Sequence, residues 1–199
     1  MYLSRVVLTG EHLHNLYEIH RALWQAFPCD PDQVRDFLFR VEKRETCQVQ
    51  VLLQSQRMPE DRKKNIRVLA TKTFNLSMPE GSFLRFMLIA NPVKTIADEQ
   101  GRLNNKGDVK KCRVPLIKED EQVEWLKRKL DDAALANGLE IEKQTPVYFR
   151  KNHRRGKIQP FAFKGLLQIQ DSKLFEDLIR QGIGPAKAFG CGLLSLARA

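Results

Sequence analysis

LSRVVLTGEHLHNLYEIHRALWQAFP, residues 3–28, is the stretch from which the rest of the chain is best read. LSRVVLT (3–9) reads as a strand, and NLYEIHRALWQAFP (15–28) as an amphipathic helix. Asn15 suits the N-cap, Glu18 stands three residues later as in a capping box, and Pro28 is a stop signal. Leu16, Ile19, Leu23, Ala26 and Phe27 recur at helical spacing and make a core-facing stripe. Beside it, Tyr17, His20 and Trp24 fall within an arc of about 60° at 100° per residue. That arc is either packing or a site, and periodicity alone does not decide between them.

Working outward, FLFRV (37–41) and CQVQVLLQS (47–55) read as two strands joined by a turn. RMPEDRKKN (57–65) is a short basic helix or loop, and IRVLATKTFNL (66–76) is a further strand. The order β-α-β-β-(α)-β is the ferredoxin-like one. Met78-Pro79-Glu80-Gly81 punctuates the chain as a linker, and SFLRFMLIA (82–90) opens a second unit. Residues 91–116 carry a turn signal at Asn105-Lys106-Gly107-Asp108, which predicts a basic β-hairpin over about 94–116. EDEQVEWLKRKLDDAALANG (119–138) reads as a helix closed by Gly138. TPVYFRK (145–151) and KIQPFAFKGLLQIQ (157–170) read as strands, the second bent or interrupted at Pro160 or Gly165. Asp171 or Ser172 caps a helix over 173–181, and CGLLSLA (191–197) closes the unit as a strand. The expected fold is α+β, two tandem ferredoxin-like (RRM-like βαββαβ) domains with antiparallel sheets, at 1–78 and 82–199.

Composition narrows the partner. The 199 residues are 42% apolar, enough for a sizeable core, with no run long enough to span a membrane. The N-terminus lacks a signal-peptide pattern, and the cysteines at 29, 47, 112 and 191 form no C-x-x-C pair. A cytoplasmic protein with reduced thiols is expected. Net charge is +10, and its distribution matters more than its size. Residues 143–164 hold seven Lys and Arg and no acid, while 102–118 hold six against Asp108 alone. The acids gather instead at Glu119, Asp120, Glu121 and Glu124, where they suit the start of a helix. Such segregation favours a polyanion, with nucleic acid the leading candidate.

GIGPAKAFGCGLL (182–194) sets Gly182, Gly184, Gly190 and Gly192 around Lys187, between a helix and a strand. Free N–H groups in such a loop can form an anion-binding nest, although a turn between packed elements explains the glycines equally well. It is neither a P-loop nor a dinucleotide fingerprint.

LYEIHRALWQAFP, RDFLFRVEKR (35–44), ANPVKTI (90–96), KKCRVPLIKE (110–119) and QGIGPAKAFGCGLLSLA (181–197) together resemble the CasE family. These are the CRISPR repeat-RNA endoribonucleases of the type I-E Cascade complex, and the matching stretches span nearly the whole chain. The resemblance implies two ferredoxin-like domains and recognition of a hairpin in repeat RNA. It also implies metal-independent cleavage at the hairpin's 3′ base, and retention of the product as a Cascade subunit beside other protein subunits. His20 corresponds to the family's catalytic histidine and Tyr17 to its assisting tyrosine. Residues i and i+3 do lie side by side on a helix, and an imidazole with an ordinary pKa of about 6.5 suits proton transfer.

The family's basic hairpin makes Arg102, Lys106, Lys110, Lys111 and Arg113 the expected stem readers. Arg154, Arg155 and Lys157 are expected to grip phosphates near the cleavage point, with His153 in a supporting role. Trp24 is expected to pack beside the site. His12 and His14 form an H-x-H pair without suitably spaced Cys or acidic partners, so neither a metal nor another cofactor is expected. A non-catalytic RNA-hairpin scaffold of the same fold is the alternative.

Overall fold

The computed structural model describes residues 1–28, 32–75, 77–151 and 154–199, without the side chains of Arg150, Lys151, Arg154 and Arg155. The first half runs β1 (Tyr2–Thr9), a 3-10 turn (Glu11–His14), α1 (Leu16–Trp24), β2 (Phe37–Arg44), β3 (Gln48–Ser55) and β4 (Ile66–Thr73). Its sheet has the order β2-β3-β1-β4, antiparallel throughout. The second half runs β5 (Phe83–Ala90), β6 (Val93–Ala97), β7 (Lys111–Pro115), α2 (Glu119–Leu130), β8 (Ala134–Lys143), β9 (Val147–Lys151) and β10 (Arg154–Ile158). It ends with β11 (Phe161–Ile169), α3 (Ser172–Gln181) and β12 (Leu194–Arg198). Its sheet is β12-β5-β11-β8, again antiparallel, and β6–β7 and β9–β10 are separate two-stranded hairpins. Both sheets interleave their strands in the ferredoxin-like manner. The first lacks the second helix: residues 57–65 form a loop, which resolves the open reading of that segment.

Each sheet buries one face under its helices. Val6, Leu8, Phe39, Val51 and Leu53 meet Ile19 and Leu23 of α1 in one core. Leu88, Phe163, Leu167 and Ile169 meet Leu126, Leu130, Phe175 and Ile179 in the other. Each fully buried Leu, Ile or Phe contributes about 1.5–3 kcal/mol, so these stripes decide the helix orientations.

Three helix details refine the sequence reading. Asn15 does cap α1, its side-chain oxygen accepting from the Tyr17 N–H at 3.1 Å, but Glu18 bonds Arg21 at 3.1 Å instead of closing a capping box. α1 ends at Trp24, ahead of Pro28, and Ala26 and Phe27 are buried from the turn that follows. Asp171 is the cap of α3, leaving the Ser172 hydroxyl to donate to the Met78 carbonyl at 2.5 Å.

The larger correction concerns 119–138. The helix stops at Leu130, Asp131 turns to φ 47°, and residues 134–143 form β8 on the edge of the second sheet. Ala134, Ala136, Leu139 and Ile141 face inward with a period near 2, which the helical reading of Ala133 and Ala134 overlooked. Pairing with β11 outweighs the helix propensity of DDAALA. The interruption of 157–170 occurs at both candidate places. The strand breaks at Gln159–Pro160, and the β11–β8 register shifts between Lys164 and Leu166. A Cβ on Gly165 would stand 2.8 Å from the Asn137 carbonyl oxygen, so glycine permits that close approach.

The halves are joined through the open face of the first sheet. Gln54 donates to the Ile179 carbonyl at 2.8 Å, and Arg40, almost fully buried, donates to the Ser195 hydroxyl at 2.7 Å and to Glu42 at 2.6 Å. Leu38 packs under Gly182, where a Cβ would approach its methyl carbon to 2.6 Å.

Candidate functional site

Burial of Ile19, Ala22 and Leu23 anchors α1 and leaves its flank half-buried. There the Tyr17 and His20 rings lie 6.2 Å apart at 30°. The His20 ring meets Trp24 edge-on at 6.3 Å and Phe37, the first residue of β2, at 5.6 Å. Trp24 is held in turn by Phe37 at 5.3 Å, which is the packing role expected of it. On the other side Tyr17 meets Phe189 at 6.1 Å, and Phe189 meets Phe149 of β9 at 4.4 Å. Gly156 of β10 lies under the Phe149 ring, where any Cβ would collide with it. A continuous aromatic chain therefore links α1, β2, the glycine-rich loop and the β9–β10 hairpin. Phe37, Phe149 and Phe189 were not singled out from sequence. The available signal was that Phe189 stands inside the glycine loop and Phe149 inside the 143–164 basic run.

The glycine loop brings two of the predicted basic groups together. Lys187 shares a cleft of about 680 Å³ with Arg113 of β7, Lys129 and Trp125. Its ammonium donates to the Gln181 carbonyl at 2.5 Å. Burial lowers the Lys187 pKa, and the nearby Arg35 and Lys129 charges lower it further. The carboxylates of Asp131, Asp132 and Asp177 line the same cleft.

The glycines themselves are accounted for by packing and backbone sign. Gly182, Gly184, Gly190 and Gly192 have φ between 74° and 92°. A Cβ on Gly184 would reach 2.8 Å from the Trp125 ring, and one on Gly192 would reach 2.9 Å from the Ile183 carbonyl oxygen. Several loop amides already serve the fold: Ile183 N–H donates to Gly192 O and Gly192 N–H to Ile89 O. The packed-turn reading thus explains these positions, and Lys187 carries the loop's positive charge.

Arg102, Lys106, Lys110, Lys111 and Arg113 are all exposed on the β6–β7 hairpin, whose outer part is closed by a Leu103–Val109 bridge. Arg102 is committed to Asp98 at 2.6 Å. That hydrogen bond, with the Gln100 N–H, holds the Asp98 carboxyl below its ordinary range. Lys157 lies over the Tyr148 ring, 5.6 Å from its centroid. Arg154 and Arg155 stand in β10 opposite Lys151 and Arg150. His153 and Cys29 lie outside the described residues. Among the described residues no three His, Cys, Asp or Glu side chains gather as a metal set, His12 and His14 included. None of the described helices is long and apolar enough to cross a membrane.

Residues 1–198 match the model of a family described as CRISPR associated protein. The chain belongs to this family. It is 49% identical to the CRISPR system Cascade subunit CasE of Escherichia coli K12 over 198 residues, 99% of each protein. The CRISPR-associated endoribonuclease Cse3 of Thermus thermophilus is 30% identical, covering 99% of this chain and 100% of that protein. Among solved structures, Cas6e from Escherichia coli K-12 superposes with a TM-score of 0.86 at 47% identity, over the whole of both chains. CRISPR endoribonuclease Cse3 bound to 19 nt RNA superposes with a TM-score of 0.78 at 30% identity, over 99% of this chain and 100% of that one. These CRISPR-associated relatives share the tandem ferredoxin-like architecture, and their matches run through both sheets and the glycine loop.

Proposed function

We propose that this protein is the endoribonuclease that cuts CRISPR repeat RNA at the 3′ base of its hairpin. In this reading it stays on the product as a subunit of a cytoplasmic Cascade complex serving antiviral defence. The observation that carries the proposal is the pairing of Tyr17 with His20 on a helix tied by Phe189 to a loop between two basic segments. The relatives support it: one is named a Cascade subunit, another an endoribonuclease, and the latter has been solved with RNA.

The chemistry requires no metal. A base takes the proton of the ribose 2′-OH, and the oxygen attacks the adjacent phosphorus. The P–O5′ bond breaks while an acid protonates the leaving oxygen. The products are a 5′-OH and a 2′,3′-cyclic phosphate, which can open to a 3′-phosphate. His20 is assigned as general base, and Tyr17 orients the phosphate or offsets the phosphorane charge. Both ring nitrogens of His20 are shielded from solvent, so arrival of the phosphate has to uncover at least one. The residues divide the work by half: 1–78 supplies the proton-transfer helix, while 82–199 supplies the basic hairpin and the loop that hold the RNA.

One observation favours a second reading, an RNA-hairpin scaffold without chemistry: rings of Tyr17, Trp24 and Phe37 surround His20, as they would a structural histidine. Cleavage of the repeat hairpin in excess EDTA, by the parent protein and by His20→Ala, separates the two. The enzyme reading expects cutting by the parent and binding without cutting by the variant. An RNA with a 2′-deoxy sugar 5′ of the scissile phosphate should bind and resist; its normal cleavage would sink the 2′-OH mechanism.

A further inference from the structure

Next to the aromatic chain lies a second cleft, about 620 Å³, between the two halves. Leu16 and Arg44 line it from the first half, and Tyr148, Pro160 and Phe189 from the second. Phe189 is therefore shared: its ring touches Tyr17 on one side and forms a wall of this cleft on the other. The volume falls in the range of pockets that take one small ligand, and its walls mix apolar side chains with His14, Arg40, Arg44, Gln144 and Thr145.

The β9–β10 register explains how the cleft acquires its rim. Phe149 pairs with Gly156 and turns to Phe189, which fastens one face of the hairpin to the aromatic chain. Tyr148 pairs with Lys157, and neighbouring side chains alternate across a strand, so these two occupy the opposite face. Tyr148 is 69% exposed there, with the Lys157 ammonium beside its ring. An aromatic ring left in water beside an ammonium group, at the mouth of a cleft, is the arrangement that stacks a nucleobase and holds its phosphate. On the cleft's exposed wall, Arg44 donates to the His14 carbonyl at 3.2 Å. The His14 Nδ1 lies 2.8 Å from the Glu11 carbonyl oxygen, so in the neutral ring Nδ1 is the donor and Nε2 an acceptor.

We propose that this cleft receives the unpaired nucleotide on the 3′ side of the scissile phosphate, its base stacked on Tyr148 and its backbone beside Lys157. The assignment rests on the endoribonuclease reading. Bases on the 5′ side are held in the stem, and only the 3′ extension is free to leave the helix and enter a pocket beside Tyr17. Stacking there draws the chain across His20 and makes Tyr148 a positioning residue for the cut.

The test uses two repeat RNAs, each with a 2′-deoxy sugar at the cleavage position. One ends at the stem; the other continues 3′ and carries 2-aminopurine as its first extended base. With the parent protein, fluorescence of the longer RNA should fall on binding. Tyr148→Ala should restore the fluorescence and weaken binding of the longer RNA about tenfold, leaving the stem-only RNA bound as before. Tyr148→Phe should behave as the parent. Equal losses on both RNAs, or none on either, would overturn the assignment. Failure of the parent to bind either RNA would overturn the endoribonuclease reading and this proposal together.

Discussion

The ring of Phe189, in the glycine-rich loop, stands 6.1 Å from the ring of Tyr17 on the first helix, α1. Through this contact the second half of the chain sets the position of the candidate catalytic helix in the first. Phe189 also holds Phe149 at 4.4 Å, and each aromatic pair is worth about 0.5–1.5 kcal/mol beyond its burial. Phe189→Ala should therefore cost about 1–3 kcal/mol in urea unfolding, on top of the burial that the ring loses. It should also slow single-turnover cleavage by more than it weakens binding of a 2′-deoxy hairpin. A variant that loses affinity and rate in the same proportion would show Phe189 to be an RNA contact and not a positioning residue.

Gly182 tests whether the loop's glycines are structural. At φ 74° a side chain is strained, and a Cβ would meet Leu38 at 2.6 Å and the Gly192 carbonyl oxygen at 2.9 Å. Gly107, at the hairpin tip, has φ 84° but open space around it. Gly107→Ala should cost only the left-handed penalty of about 1–2 kcal/mol. Gly182→Ala should cost more than that, because a backbone carbonyl cannot step aside as a side-chain end can. Denaturation midpoints of the two variants decide it, and equal losses would remove packing as the reason for glycine at 182.

What the sequence carried, and what it did not, follows from the range of each signal. The α1 stripe was legible because Leu16, Ile19 and Leu23 repeat locally, and so was the hairpin turn around Gly107. The edge strand Ala134–Lys143 was not, since its partner lies beyond Phe161 and its first residues are good helix formers. The site divided in the same way. Tyr17 and His20 share one helix face and could be paired from spacing. Phe37, Phe149 and Phe189 reach them only through tertiary packing, from strands and a loop more than ten residues away. The glycines were visible, but whether they serve a nest or close packing depended on Leu38, Trp125 and the Ile183 carbonyl.

The hairpin cations should not contribute equally to RNA affinity. Lys111 and Arg113 are exposed on the second strand of the β6–β7 hairpin, whereas Arg102 already bonds the Asp98 carboxylate at 2.6 Å. Each phosphate contact removed should reduce the slope of log affinity against log salt by about 1. Lys111→Ala and Arg113→Ala should each lower it by that amount if they meet phosphates. Arg102→Ala should change it less, because Asp98 must release the guanidinium before RNA can use it. Equal slopes for all three variants and the parent would remove this hairpin from the phosphate interface.

Cys191 offers a probe of the loop that depends on pH in a defined direction. Burial pushes its thiol up to about 12, while Cys47 and Cys112 are exposed. The thiolate is the form that reacts with iodoacetamide, and at pH 8.5 a thiol with so raised a pKa supplies almost none. Native protein at that pH should be alkylated at Cys47 and Cys112 long before Cys191. Since Cys191 directly follows Gly190, its labelling requires the loop to open, and in the fast-closing regime the rate follows the free energy of that opening. Gly182→Ala should then accelerate labelling of Cys191 and leave Cys112 unchanged. A bound repeat hairpin should slow it if the RNA clamps the loop. Peptide mass spectrometry over a time course reads all three rates at once, and alkylation of Cys191 as fast as Cys112 in the parent would contradict the buried position of this thiol.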